Sequence, residues 1–499
     1  MKRRSFITRV AGAAALSALS PRLFAEGNAM PMPMGHDMGS KPAQAPVPLA
    51  DMNALKGGQV LQALVPLKNE STSKGLFQGT LIAAPVDVGL MNAVKTTFWA
   101  YNNSVPGPLI EVMAGDRVEI LFKNHLSQAT TIHWHGLPVP PDQDGNPDDL
   151  VLPNETRVYQ FTLPKDCAGT YWYHPHPHGD TPEQVYRGLA GVFIVRDPED
   201  PLAGIPERHL VISDLKLQRD GQIASNDAND EMNGREGQFV LINGQYQPQI
   251  PVTAPQERWR IWNATNARYL NLFWGDARFT QVGTDGGLLS RPVPGLKGML
   301  LVPGQRAELL VNAGIGPVSL AAEIYQRGKM GVVAPEIRRV LGEIKPAAVT
   351  GAAPAVPLTL RTLALPGPVK AKKLVVFSEK MSMQNGQHSM QFLINGGQYD
   401  MNRVDLVSRL GEVEEWEIQN KADMDHPFHI HGAQFMVTER IRNGQTLPEP
   451  YLAWRDVVNV TAGETVRFRI VQHFRGRRMF HCHILEHESA GMMGNLLVV

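Results

Sequence analysis

"SVPGPLIEVMAGDRVEILFKN", residues 104–124, runs from a Gly-containing turn into an alternating strand that ends on an Asn. The same pattern recurs loosely as "LINGQYQPQIPVTAPQERWRIWNAT" at 241–265 and as "LINGGQYDMNRVDLVSRLGEVEEWEIQN" at 393–420. A second element follows each copy: "LPNETRVYQFTL" (152–163), "LVPGQRAELLVNA" (301–313) and "NVTAGETVRFRIV" (459–471). Each is a turn holding Gly or Asn, then an alternating strand. Two matched elements in one order, three times over, predict three consecutive β-sandwich domains. A single large irregular β fold would leave the repetition unexplained.

The expected boundaries follow from composition. The domains cover 48–198, 205–345 and 374–499, with "RDPEDPLAGIPER" (196–208) between the first two and a Pro/Ala-rich linker, 346–373, before the last. A chain of 499 residues accommodates about three domains. Glycine (46) and proline (38) are plentiful and helical periodicity is scarce, which makes the fold class all-β. Net charge is zero, so no electrostatic reason exists to expect nucleic acid or an anionic membrane as partner.

Residues 1–25, "MKRRSFITRVAGAAALSALSPRLFA", are set apart from the fold. Arg3 and Arg4 followed by an Ala-rich apolar stretch resemble a twin-arginine signal, with cleavage after Ala25. No later stretch reaches the ~18 apolar residues of a membrane span. The expectation is a monomer exported to the periplasm by the twin-arginine machinery. In that oxidising compartment cysteines tend to pair, yet Cys167 and Cys482 are the only two. A bridge would consume the thiolate of the "MFHCHILEHESAGMM" cluster (479–493), so both are read as unpaired, Cys167 as a small buried apolar residue.

Sixteen histidines are distributed unevenly. Four pairs are spaced i, i+2: His133/His135, His174/His176, His429/His431 and His481/His483. Residues two apart on an extended chain share a face. Two pairs lie in the first repeat, two in the third and none in the second, which predicts eight imidazoles converging between the first and third domains. Imidazole suits zinc, copper, iron and nickel. The metal is decided around Cys482: His487 and Met492 follow at intervals of five, and His426 offers a second imidazole. Two His, one Cys and a weak axial Met make a blue-copper site, with Met493 as the alternative axial ligand, whereas structural zinc gains nothing from a thioether. In an extended His-Cys-His the middle side chain points away from its neighbours, so Cys482 faces one metal while His481 and His483 face the imidazole cluster.

With these motifs in view the chain resembles the multicopper oxidases, the family of three cupredoxin-like Greek-key domains that includes laccases and bacterial cuprous oxidases. The resemblance rests on "HWHG", "HPHPHG", "HPFHIHG" and "HCHILEHESAGMM". It implies four copper ions and oxidation of a reductant coupled to four-electron reduction of O2 to water. Carried over by position, the type-1 copper takes His426, Cys482, His487 and Met492. The type-2 copper takes His133 and His429. One type-3 ion takes His135, His174 and His483, and the other His176, His431 and His481. Asp144 and Glu488 match the family's proton-supplying carboxylates. His178 is expected behind the ligands, and His125, His209 and His473 as structural or surface residues.

The reductant is either Cu(I), in copper tolerance, or a phenolic or aromatic amine donor. The leader, 26–47, carries Met30, Met32, Met34, His36 and Met38, soft ligands for Cu(I). A second patch holds Met381, Met383, His388 and Met390. Asp423 and Met424, with Asp425, lie beside His426 as candidate substrate residues. The long Met-rich insertion that bacterial cuprous oxidases often carry over the type-1 site has no counterpart here, which leaves room for an open, laccase-like site. A copper-storage or periplasmic scaffold protein without turnover is the rival, and it has no need of a complete O2-reducing ligand set.

Overall fold

A computed structural model describes residues 48–499 apart from 92–93, 315 and 385–386 and the side chains of 382–389. The leader and signal segments lie outside the described residues. Three sandwiches follow one another along the rest. In the first, the strand Leu76–Met91 pairs antiparallel with Val94–Tyr101 and parallel with Arg117–Asn124, which pairs antiparallel with Thr156–Thr162. The same roles fall to Glu207–Leu215, Phe239–Ile242, Gln256–Asn263 and Arg306–Asn312 in the second. In the third they fall to Ala371–Gln384, Gln387–Ile394, Val413–Asn420 and Thr465–Val471.

A second sheet faces each of these, opened by Gly107–Met113, Gln249–Val252 and Leu406–Ser408, each running parallel to the last strand of its sandwich. The chain therefore crosses between sheets inside each repeated element, as a Greek key requires. Alternation drives it: Thr465–Val471 buries Val466, Phe468 and Ile470 and turns the residues between outward. Those side chains meet Phe428 and Phe480 of the facing sheet in one core, and each sandwich has its own such core.

The repetition has a polar basis as well. The Asn closing the first element, Asn124, Asn263 or Asn420, is buried. Its Nδ2 donates to a carbonyl at the start of the second element, that of Val151, Leu301 or Val460, at 2.8–2.9 Å. Its Oδ1 accepts from the backbone N–H two residues on. The turn into the second element is left-handed at Asn154, Gly304 and Gly463. The next side chain, Glu155, Gln305 or Glu464, accepts a backbone N–H across that turn. Each clamp satisfies buried groups that would otherwise cost about 1–3 kcal/mol apiece.

Helices are short: α1 (Thr181–Tyr186), α2 (Ala228–Asn233) and α3 (Leu485–Ser489). One comes from each sandwich, and α3 packs against both others. No helix among the described residues is long and apolar enough to cross a membrane.

Candidate metal centre

The histidine pairs sit where strands end. His133 and His174 form an isolated antiparallel bridge, and His429 is the register partner of His481 between His426–Ile430 and Gly476–Cys482. Strand alternation therefore aims all four pairs into one space. The eight rings have no exposed surface. Their nitrogens form three close sets: His133, His429 and His431; His135, His174 and His483; His176, His431 and His481. His133 Nε2 lies 3.4 Å from His429 Nε2, and His481 Nε2 lies 3.3 Å from that of His176 and 3.1 Å from that of His431.

On the other side of the same strand, Cys482 Sγ lies 3.3 Å from His426 Nδ1, which is 3.4 Å from His487 Nδ1. Cys482 and Met492 share one buried core. Met493 is the cross-strand partner of His481 and so belongs to the opposite face of the strand, which distinguishes it from Met492. Both cysteines are free; Cys167 is buried, and its thiol donates to the Pro164 carbonyl.

Comparison with known proteins then bears on the whole chain. Two family models described as multicopper oxidase match residues 84–200 and 373–499. Multicopper oxidase mco of Staphylococcus haemolyticus is 32% identical over 412 residues, covering 80% of this chain and 83% of that protein. The structure of a multicopper oxidase from Campylobacter jejuni, described as a metallo-oxidase, superposes with a TM-score of 0.86 at 44% identity, covering 91% of this chain and 98% of that one. The chain belongs to the multicopper oxidases. Cell division protein FtsP of Escherichia coli is also similar, 29% identical over 427 residues, covering 81% of this chain and 86% of that protein.

A multicopper oxidase binds copper and oxidises a reductant with O2, and these side chains fit that cofactor. Ring nitrogens facing each other at 3.1–3.4 Å converge as the ligands of a shared cation do. His135 Nε2, His174 Nε2 and both nitrogens of His483 have no protein partner. Burial, with neighbouring imidazoles adding to it, holds His135, His174, His176, His429, His431 and His483 well below the ordinary value, and lowers His481 to about 3. The outer nitrogens are tied back. His133 Nδ1 donates to Asp144 Oδ1 (3.0 Å), His429 Nδ1 to the Asp456 carbonyl (2.8 Å), His174 Nδ1 to that of Pro175 (2.8 Å) and His481 Nδ1 to that of Cys482 (2.9 Å). Such partners fix the tautomer and leave Nε2 free to bind a metal.

Both candidate acids are buried. Asp144 spans two imidazoles, its Oδ2 lying 3.5 Å from His431 Nδ1. Glu488 Oε1 lies 3.8 Å from His176 Nε2. Burial first, and then Glu486, push the Glu488 carboxyl well above the ordinary range, while the Thr181 hydroxyl opposes.

The open type-1 site expected from the missing insertion is not what the described residues form. His426 and His487 are both 0% exposed. The strand Ala371–Gln384 and its hairpin partner lie over the site: Glu379 Oε1 accepts from His426 Nε2 at 3.0 Å, and Phe392 stacks on His487 with centroids 3.9 Å apart. On the other flank, His487 Nε2 donates to the carbonyl of Met232 in α2 at 3.1 Å. Of the candidate substrate residues only Asp423 is exposed, and its N–H donates to Glu379 Oε2. Met424 is fully buried, its sulfur facing Arg327 Nη1 at 3.6 Å, and Asp425 accepts from the Tyr325 hydroxyl. His178 is exposed and meets the Tyr399 ring instead of backing a ligand. His125 and His473 are exposed and His209 pairs with Glu207.

Glu379, Asp456 and Arg306 escaped the sequence reading. The one signal available was charge at inward positions: Arg306 and Glu308 sit in a strand whose residues are buried from Arg306 through Val311.

Proposed function

We propose that this protein is an exported metallo-oxidase that takes electrons from Cu(I) in preference to phenols and aromatic amines, in copper tolerance. The observation that carries the preference is the burial of both type-1 imidazoles behind Glu379. A ring-sized donor has no exposed imidazole edge to touch, whereas a small cation needs only a carboxylate and soft ligands. Those stand in register on the covering hairpin. Glu379 pairs with Phe392, and Met381 with Met390 two residues along the hairpin. Met381 is 60% exposed, and thioethers suit Cu(I).

The resident copper would number four ions: type 1 on His426, Cys482, His487 and Met492, type 2 on His133 and His429, and a type-3 pair on the remaining six imidazoles. When bound, these ions supply one-electron oxidation at one site and four-electron reduction of O2 at the other. The chain supplies the rest. Glu379 holds the His426 ring, the hairpin and α2 keep bulk water from the type-1 ligands, and Asp144 and Glu488 are the carboxyl groups placed to pass protons to the imidazole cluster. The signal segment 1–25, with its Arg3-Arg4 pair, supports twin-arginine export to the periplasm, and the three sandwiches support domain boundaries near 48–198, 205–345 and 374–499. The likeness to a cell division protein raises a role in cell division as a second reading, but such a role has no evident use for eight converging imidazoles.

The test is O2 consumption by copper-loaded protein with Cu(I) and with a phenolic donor. The expected result is a kcat/KM for Cu(I) at least tenfold above that for the phenol, with KM for Cu(I) rising in the double variant Met381→Leu, Met390→Leu. A phenol oxidised as efficiently as Cu(I) defeats the preference, and no O2 consumption with either donor defeats the oxidase.

A further inference from the structure

The middle domain carries none of the proposed ligands, yet one of its side chains reaches the imidazole cluster. Arg306 opens the strand Arg306–Asn312 and is buried. Its guanidinium grips both oxygens of Asp456, Nη1 on Oδ1 and Nη2 on Oδ2, at 2.5 Å each. Its Nε donates to the Thr170 carbonyl of the first domain at 2.7 Å. Asp285 braces the arrangement: Oδ1 accepts from Arg306 N at 2.8 Å, and Oδ2 from the N–H groups of Asp456 and Val457 at 3.3 and 3.4 Å. All three domains thus meet on one carboxylate of the third.

Asp456 in turn touches two imidazoles. Its carbonyl accepts from His429 Nδ1 at 2.8 Å, and its Oδ1 lies 3.3 Å from His135 Nδ1, which Arg306 Nη1 also approaches at 3.4 Å. A neutral imidazole has one N–H, so a ring that donates from Nδ1 keeps its lone pair on Nε2. His429 Nε2 faces His133 Nε2 at 3.4 Å, and His135 Nε2 has no protein partner. The two rings stack with centroids 3.8 Å apart, so one residue governs both. Asp456 is itself close enough to His135 and His429 to share a metal with them. The bidentate guanidinium occupies that carboxylate instead, which makes it an orienting acceptor. Room for the pair comes from Gly136 of the "HWHG" motif, at φ +84°. A Cβ there would lie 2.2 Å from Asp456 Oδ2 and 2.7 Å from Arg306 Nη2.

We infer that Arg306 is a positioning residue: by fixing Asp456 and touching His135 itself, the middle domain sets the tautomer and aim of the type-2 ligand His429 and the placement of the type-3 ligand His135, and so decides whether the trinuclear site fills. This inference rests on the copper assignment above.

Copper per chain, resistance of that copper to a chelator, the blue absorption and the type-2 paramagnetic resonance signal are measured on holoprotein. The proteins compared are wild type, Arg306→Met, Arg306→Lys and Asp456→Asn. Arg306→Met is expected to keep the blue absorption, lose most of the type-2 signal and hold its non-blue copper about 10- to 100-fold more weakly. Lysine restores the charge without the fork and recovers part of the loss. Wild-type copper content, chelator resistance and type-2 spectrum in Arg306→Met would overturn the inference. Should that variant not fold, the same wild-type behaviour in Asp456→Asn would overturn it. A wild-type holoprotein with blue absorption but no type-2 or type-3 copper would overturn the assignment on which it rests.

Discussion

The Cys482 sulfur has no exposed surface, and burial drives its thiol well above the ordinary range. Only a cation placed among His426, His487 and Met492 makes the thiolate the stable form there. Cys482→Ser offers a hydroxyl far harder to ionise and far poorer as a soft ligand. The variant is expected to fold, to lack the blue absorption and to consume O2 no faster than a metal-free control; visible spectra and an oxygen electrode check this. Glu488 makes a different kind of contribution. Burial beside His176 favours its protonated form in a place with no exposed surface. Glu488→Gln keeps the shape and removes the exchangeable acid, so turnover should fall by about a hundredfold, within the range of a lost general acid, while copper content and colour persist. Equal turnover in the amide would assign the proton supply to another group.

At the scale of elements, one turn appears three times with different duties. Asn154, Gly304 and Gly463 each enter a strand with positive φ. An alanine at Gly463 would meet open space, whereas a Cβ at Gly304 would sit 2.9 Å from the His483 ring. Gly463→Ala should therefore cost only the left-handed penalty of about 1–2 kcal/mol. Gly304→Ala should cost that and also displace His483, a proposed ligand. Thermal melts and copper analysis of the pair check this: both melt earlier, and only Gly304→Ala loses copper.

These elements were legible in the sequence because their causes are local. Alternation, an Asn or Gly at the left-handed position, and His-x-His spacing act within a few residues, and the strands that carry them end at the site. Glu379 was not legible in that way. It lies 47 residues before His426 in an alternating strand like any other, and only register brings it to the ring.

For the whole molecule, the buried imidazoles set the response to acid. His135, His174, His176, His429, His431, His481, His483 and His487 all have folded-state values lowered from about 6.5 by burial. As pH falls below about 6.5 the unfolded chain binds protons that the folded metal-free protein refuses, so stability falls with pH. Each such group contributes up to about 1.4 kcal/mol per pH unit. Asp214, Asp456, Glu486 and Glu488 are shifted upward and act in the opposite sense, but they are four against eight. The metal-free protein should therefore lose thermal stability between pH 7 and pH 5. Copper loading should raise the whole curve, and protons should displace the metal as pH falls, because the same lone pairs bind both. Calorimetry of both forms across that interval checks it; a flat metal-free curve would mean the imidazoles are solvated.

The amino-acid order alone determined the three-fold β repeat and the grouping of the histidines and of Cys482 with Met492, since each is written in spacings of a few residues that a strand or turn converts directly into direction. Tertiary structure decided what stands behind those ligands and what covers them: Arg306 against Asp456 across 150 residues of chain, Met232 of α2 against His487 across 255, and the hairpin that closes the type-1 site. Contacts of that separation depend on how whole sheets pack, and no local pattern in the chain encodes it.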